Sequence, residues 1–167
     1  MVCDYFRRLC CYGISMPLKI IHFDLGANMA YAHNCCGDVV IADHFVAKGT
    51  RQNRAMETLL WLNERYQSMK KAGTLPDATH YERPFARGMH ATRSLWGVAG
   101  LIEAVSKSYG IDTFDSSPAE IKKFATQVGG ANKDDMWSAA MGMGYMGTNE
   151  HEADAWCGLK YAERYLT

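Results

Sequence analysis

Two hydrophobic periods alternate along the chain. Lys19 to Asp24 (KIIHFD) is an apolar run closed by a single acid, the pattern of a buried strand, and Leu25-Gly26 follows where the backbone can turn or let a ligand approach. Met29 to His33 resumes an extended pattern, Asn34-Cys35-Cys36-Gly37 reads as a hairpin turn, and Asp38 to Val46 is rich in β-branched and aromatic residues, so the first third predicts a three-stranded meander. The period then lengthens. From Asn53 to Lys71 the residues Ala55, Leu59, Leu62, Tyr66 and Met69 make one helical stripe, closed by Gly73 and Pro76. Ala78 to Glu82 is a short strand. Arg87 to Tyr109 is the longest predicted helix, its apolar surface interrupted by Ala91, Gly97, Gly100 and Ala104. Ile111 to Phe114 is a further strand, and Ser117-Pro118 with Glu120 predicts a capped helix that Gly129-Gly130 breaks. Lys133 to Met146, ended by Gly147, and Glu150 to Leu166 complete the helices. This order predicts an α/β fold, a mixed five-stranded sheet flanked by helices.

Composition narrows the class. A chain of 167 residues with 48% apolar and 22% charged residues fits one soluble domain able to bury a core. The 18 basic and 18 acidic residues cancel, but unevenly. Arg83 to Lys133 holds seven bases against four acids, and from Asp134 onward six acids face two bases. A basic middle beside an acidic tail suits a site that joins phosphate to metal. The six cysteines include the adjacent pairs Cys10-Cys11 and Cys35-Cys36 but no C-x-x-C, which argues for reduced thiols of a cytoplasmic protein over a zinc site. No run approaches the ~20 apolar residues of a membrane span. Residues 1–17 read as an N-terminal extension without a signal-peptide core, and 18–167 as the folded domain.

Three places carry candidate chemistry. Asp24 ends the first strand. Glu82 ends the fourth, just before Arg83-Pro84, where proline keeps the preceding backbone extended and stops the strand. In the last helix Asn149 and Glu152 fit a capping box, while His151 and Asp154, three apart, share a face that continues through Cys157, Gly158, Tyr161 and Tyr165. Each acid also has an ordinary structural reading at a solvated edge or a helix dipole. If the groups converge, however, an all-carboxylate cluster repels itself unless hard cations bind it, and a pair of Mg²⁺ or Mn²⁺ ions ~4 Å apart can activate water and stabilise a leaving oxygen.

The order FDLG, ERPFARGMHATRSLWGVAG, SSPAEIKKFATQVGGANKDDM and EHEADAWCGL resembles the RuvC family of Holliday junction resolvases, in its phage and bacterial RuvC-like members, from Leu18 to the C-terminus. The resemblance implies an RNase H-like fold, a homodimer, and Mg²⁺-dependent symmetric cleavage of four-way DNA to 5′-phosphate and 3′-hydroxyl ends, with Mn²⁺ substituting and two ions per site. It implies Asp24, Glu82, His151 and Asp154 as the catalytic metal-binding set, with His151 either a ligand or a proton-transfer group, since many members carry aspartate there. It also implies DNA contacts at Lys122 and Lys133, which flank Gly129-Gly130, and at Phe85, an aromatic able to stack on a base. Arg87 and Arg93 are candidate phosphate contacts by position. The setting implied is the cytoplasm of a bacterial or phage-infected cell.

Rival readings come from other classes. Asp-Leu-Gly before a meander also resembles the start of actin and Hsp70-like ATPases, which need a second phosphate loop and about twice this length. A same-fold nuclease acting on flaps, forks or three-way DNA fits the acids equally well. A non-catalytic DNA-binding module fits less well, because all four acid or histidine positions are filled.

Overall fold

The structure is a computed structural model that describes residues 17–26, 28–37, 39–85 and 89–166. Five strands, β1 (Ile20–Asp24), β2 (Met29–Cys36), β3 (Val39–Phe45), β4 (Ala78–Glu82) and β5 (Asp112–Ser116), form one sheet in the order β3-β2-β1-β4-β5. The meander is antiparallel, whereas β4 and β5 run parallel to β1. Parallel pairing requires crossovers, and helices supply them: α1 (Arg51–Lys71) lies between β3 and β4, and α2 (Met89–Ser108) between β4 and β5. Then follow α3 (Pro118–Thr126), α4 (Lys133–Gly142) and α5 (Glu150–Tyr165).

Alternation along each strand divides the core. Ile21, Phe23, Tyr31 and Tyr81 face α1 and α2 and pack with Leu62, Tyr66, Ile102 and Val105. On the opposite face Ile20, Ala30 and Ala32 meet Ala155, Leu159 and Ala162 of α5. A third cluster, including Ile121, Met136, Ala140, Tyr145 and Cys157, joins α3, α4 and α5. Among the described residues no helix is long and apolar enough to cross a membrane.

Every predicted element is present, with shifted ends. The stripe of α1 holds at Leu62, Tyr66 and Met69, but Ala55 is exposed in a first turn that Thr50 caps. The turn between β2 and β3 is shorter than the sequence suggests: β2 continues through Cys36, with an irregularity between His33 and Cys36, and Gly37 takes a φ of 73°. Helix α3 ends before Gly129-Gly130, because Gln127 adopts the left-handed conformation at φ 65° and closes it. Helix α4 stops at Gly142, not Met146, since Gly144 turns the chain at φ 91°. The long helix begins at Met89, and its small residues face outward: Gly97, Gly100 and Ala104 are exposed, while Ala99, Ile102 and Val105 face the sheet. Residues 1–16, Arg87 and Thr167, and with them Cys3, Cys10 and Cys11, lie outside the described residues. Cys35, Cys36 and Cys157 are free thiols, and burial pushes Cys35 and Cys157 up to about 12.

One glycine sets how closely α5 lies on the sheet. A Cβ on Gly158 would stand 2.0 Å from Nε2 of His22. That imidazole is buried, and its Nδ1 meets Nδ1 of His80 at 2.7 Å, so the ring has no room to retreat. Gly158→Ala is therefore expected to cost about 2–3 kcal/mol of stability or more, measured by urea unfolding. An unchanged midpoint would show that the helix can lift freely.

Candidate active site at the ends of β1 and β4

The parallel register pairs Phe23 with Tyr81, which brings the next residues, Asp24 and Glu82, to the same end of adjacent strands. Neighbouring strands lie ~4.8 Å apart, so the two carboxylates emerge side by side on the α5 face. Helix α5 crosses that face, with Asp154 one helical turn before Gly158. The three acids sense one another. Burial, then Glu82 and Asp154, push the Asp24 carboxyl well above its ordinary value, opposed by Lys133. Glu82 is pushed up to about 7, first by burial and then by Asp154, against the pull of Lys122. Burial also raises Asp154, offset by Lys122, Lys133 and His151.

Helix N-termini position the surrounding groups. A reciprocal capping box between Ser117 and Glu120 starts α3, which carries Lys122, and another between Asn132 and Asp135 starts α4 at Lys133. Lys122 Nζ donates to the carbonyl of Ala131 at 2.9 Å, and Lys133 Nζ pairs with Glu150 at 2.8 Å in an exposed ion pair. Both cations sit near enough to pull on the carboxylates without neutralising them. His151 is partly buried in the first turn of α5. Phe85, three residues past Glu82, is 76% exposed. Arg93 is exposed on α2, and among the described residues no hydrogen bond or ion pair ties it to the acids; Arg87 lies outside the described residues.

Glu152 departs from its expected role. The Asn149 side chain does cap α5, accepting the N–H groups of His151 at 2.9 Å and Glu152 at 3.4 Å. The return half of the capping box is replaced, because Asn149 N–H donates to Tyr145 Oη at 3.2 Å. The Glu152 carboxylate instead accepts from Nδ1 of His44 at 2.9 Å, with Tyr145 Oη 3.0 Å from its other oxygen. Among the described residues, three ligand-type atoms come within 4.8 Å of one another at Asp43, His44 and Glu152, and the four predicted site residues are not held that tightly. His44 was not singled out from the sequence. The signal available was the alternation of β3, which places it on the same face as Ala42 and in register with Ala30 and so with Asp24.

The donor set at the strand ends is all oxygen from Asp24, Glu82 and Asp154, with one imidazole beside it, which fits a hard divalent cation such as Mg²⁺ or Mn²⁺. Without a cation, the raised Glu82 makes the folded state bind more protons than the unfolded state between about pH 4.5 and 7. Its stabilising share is then full below the unfolded value and is lost as pH rises through 7. In the presence of chelator, wild-type protein is expected to lose about 2 kcal/mol more stability than Glu82→Gln between pH 5 and 7.5. Paired urea titrations measure this difference, and a smaller loss in wild type would refute the crowding at Glu82.

No family model matches the sequence, and no curated protein matches it by sequence. Solved structures match in fold. A structure of Thermus thermophilus RuvC aligns with a TM-score of 0.68 at 15% identity, over 90% of this chain and 98% of the other. T. thermophilus RuvC in complex with Holliday junction substrate aligns at 0.69 and 16%, over 89% and 94%. The yeast mitochondrial Holliday junction resolvase Ydc2 aligns at 0.57 and 12%, over 96% and 86%. With its mixed five-stranded sheet and flanking helices, this chain has the RNase H-like fold in its RuvC-like form.

Proposed function

We propose that this protein is a metal-dependent endonuclease that resolves four-way DNA junctions as a homodimer. The observation that carries the reading is the convergence of Asp24, Glu82 and Asp154 at one end of the sheet, with raised proton affinities, beneath the lysines of α3 and α4. Two RuvC-like neighbours act on, or are bound to, Holliday junctions, which favours branched DNA as the substrate.

When bound, Mg²⁺ or Mn²⁺ would supply an activated water and charge stabilisation at the scissile phosphate. Asp24, Glu82 and Asp154 would hold the ions, probing the same open side of the sheet end. His151 would hold an ion with Asp154 or carry a proton at its imidazole. Lys133, whose ammonium is solvent-exposed, would exchange Glu150 for a backbone phosphate, and Lys122 would stabilise the loop that presents it. Phe85 offers an exposed ring for stacking on a base at the branch. Arg93 and Arg87 would extend the phosphate contacts. Outward-facing Gly97, Gly100 and Ala104 make α2 suited to close packing against a second copy. Residues 18–167 form the nuclease domain and 1–17 an extension, working in the cytoplasm where Cys35, Cys36 and Cys157 stay reduced.

A second reading has the same chemistry with looser substrate choice, because the acids define the cleavage and not the branch. A panel of four-way, three-way, flap, fork and linear DNA with Mg²⁺ or Mn²⁺ separates the two. Selective paired nicks in four-way DNA, sealed by ligase, are expected; equal cutting of flaps would favour the looser nuclease. Asp24→Asn should lower the rate at least about 10³-fold while leaving junction binding intact, and wild-type cutting by that variant would refute the site. Lys133→Ala should weaken binding across all sequences and reduce the slope of log K against log salt by about 1. Sedimentation at micromolar concentration should show a dimer.

A further inference from the structure

The first turn of α5 straddles the row of side chains that ends the sheet. Across the paired strands this row runs Glu82, Asp24, Ala30, His44. Glu152 and Asp154 are two residues apart, so they leave the helix roughly 200° from each other. Asp154 thus belongs to the β1 and β4 side, while Glu152 reaches the other way to His44 on edge strand β3. Ala30, buried between them, leaves room for the helix.

We propose that His44 and Tyr145 are positioning residues for Asp154: by gripping Glu152 they hold the first turn of α5 in place against the sheet end and so fix the aim of the Asp154 carboxylate. Gly158 sets the height of the helix above the sheet, and the body of the helix is held by Ala155, Leu159 and Ala162 on the sheet and by Ala153 and Cys157 against α3 and α4. The grip on Glu152 adds a constraint at the first turn, where Asp154 leaves the helix. The Glu152 side chain is only 16% exposed and takes His44 Nδ1 at 2.9 Å on one oxygen and lies 3.0 Å from Tyr145 Oη on the other. Tyr145 Oη also lies 3.0 Å from the Asn149 carbonyl and accepts the Asn149 N–H, tying the same hydroxyl to the cap of α5. The preceding loop is shaped around this ring: a Cβ on Gly147 would stand 2.3 Å from Tyr145 Oη.

The same atoms could be read as a second cation site, since Asp43 completes a group of three potential ligands. Each of these groups already has a hydrogen-bonding partner within the protein, however. Asp43 accepts the His44 N–H at 2.7 Å and the Tyr31 hydroxyl at 3.1 Å, and Arg65 stands 3.7 Å from it. His44 Nδ1 spends its proton on Glu152. The His44–Glu152 contact ties β3 to α5, while Asp43 is held by its own strand, β2 and α1.

The proposal rests on Asp24, Glu82 and Asp154 forming a cation site, and the experiment separates the two claims. Mn²⁺ binding by calorimetry and single-turnover cleavage of four-way DNA are measured for wild type, His44→Ala, His44→Asn and Tyr145→Phe, with folding checked by thermal melting. His44→Ala and Tyr145→Phe are expected to bind Mn²⁺ about 10-fold more weakly and to cut about 10-fold more slowly, with DNA affinity unchanged. His44→Asn, whose amide N–H can replace Nδ1–H, is expected to recover most of both. Variants that match wild type overturn the positioning role and leave the nuclease reading standing. So does an asparagine variant no better than alanine, or one Mn²⁺ site lost with cleavage intact, which would make the group a separate metal site. A wild type that neither binds Mn²⁺ nor cuts DNA sinks both claims.

Discussion

The contact between Gly158 and the His22 ring is what the rest of this structure depends on. It removes a side chain where helix meets sheet, so the axis of α5 comes down onto β1 and its first turn reaches the strand ends. Ala30, Ala32, Ala155 and Ala162 extend the same close approach on either side. With larger residues at these positions the helix would ride higher and Asp154 would stand away from Asp24. Packing of small groups in the interior therefore sets the charge spacing at the surface. The body of the helix is held by packing on the sheet and on α3 and α4, and the side chains of its first turn decide how the end that carries Asp154 sits.

The charges make this arrangement costly. Asp24, Glu82 and Asp154 are buried together where α5 comes down on the strand ends, and burial first, with mutual repulsion added at Asp24 and Glu82, makes all three hold their protons more tightly than ordinary carboxyls do. Such crowding lowers stability at neutral pH in the absence of a cation, a trade common at sites built for binding and not for folding. The core on the other face of the sheet offsets it. There α1 and α2 cover β1, β2 and β4 with large side chains, and Tyr66 Oη joins Thr79 at 2.7 Å and Ser106 at 3.0 Å in a satisfied buried network. The large side chains of the core lie on one face of the sheet, and the crowded acids on the other.

The chemistry was more legible in the sequence than the geometry that supports it. Asp24 closes a short apolar run and Glu82 a short extended one that Pro84 stops, and a strand end is local information. His151 and Asp154 stood out because an acid and a histidine share a helix face whose later residues are small or apolar. Glu152 was legible only as half of a capping box, since sequence spacing shows what lies three residues away and nothing of a histidine on a distant edge strand. Gly158 read as one more small residue, because its meaning depends on His22, far away in the chain. Helix ends misled for a related reason. Gly129-Gly130 and Gly147 are natural breakers, but Gln127 and Gly144 take the left-handed turns first, under packing that no local pattern encodes. The five strands and five helices of the described residues were all in the periodicity, while their register, and hence the pairing of Asp24 with Glu82, belonged to the sheet.

The side from which compensating charge can reach the acids follows from what lies beneath them. His22 and His80 sit two residues behind Asp24 and Glu82 on the same face, and burial holds both well below the ordinary imidazole value, His80 at about 4. They are neutral at physiological pH, linked to each other at 2.7 Å and through His80 to Ser116 at 3.0 Å, so the sheet supplies no positive charge from below. Positive charge comes from the open side, where Lys122 and Lys133 lower the proton affinity of the acids from a distance. Without a cation the raised acids keep part of their protons, so a DNA phosphate arriving alone meets a carboxyl cluster with no ion to share. On the proposed reading, cation binding therefore accompanies or precedes productive engagement of DNA, since it displaces those protons and brings the positive charge that the neutral His22 and His80 beneath the acids do not supply.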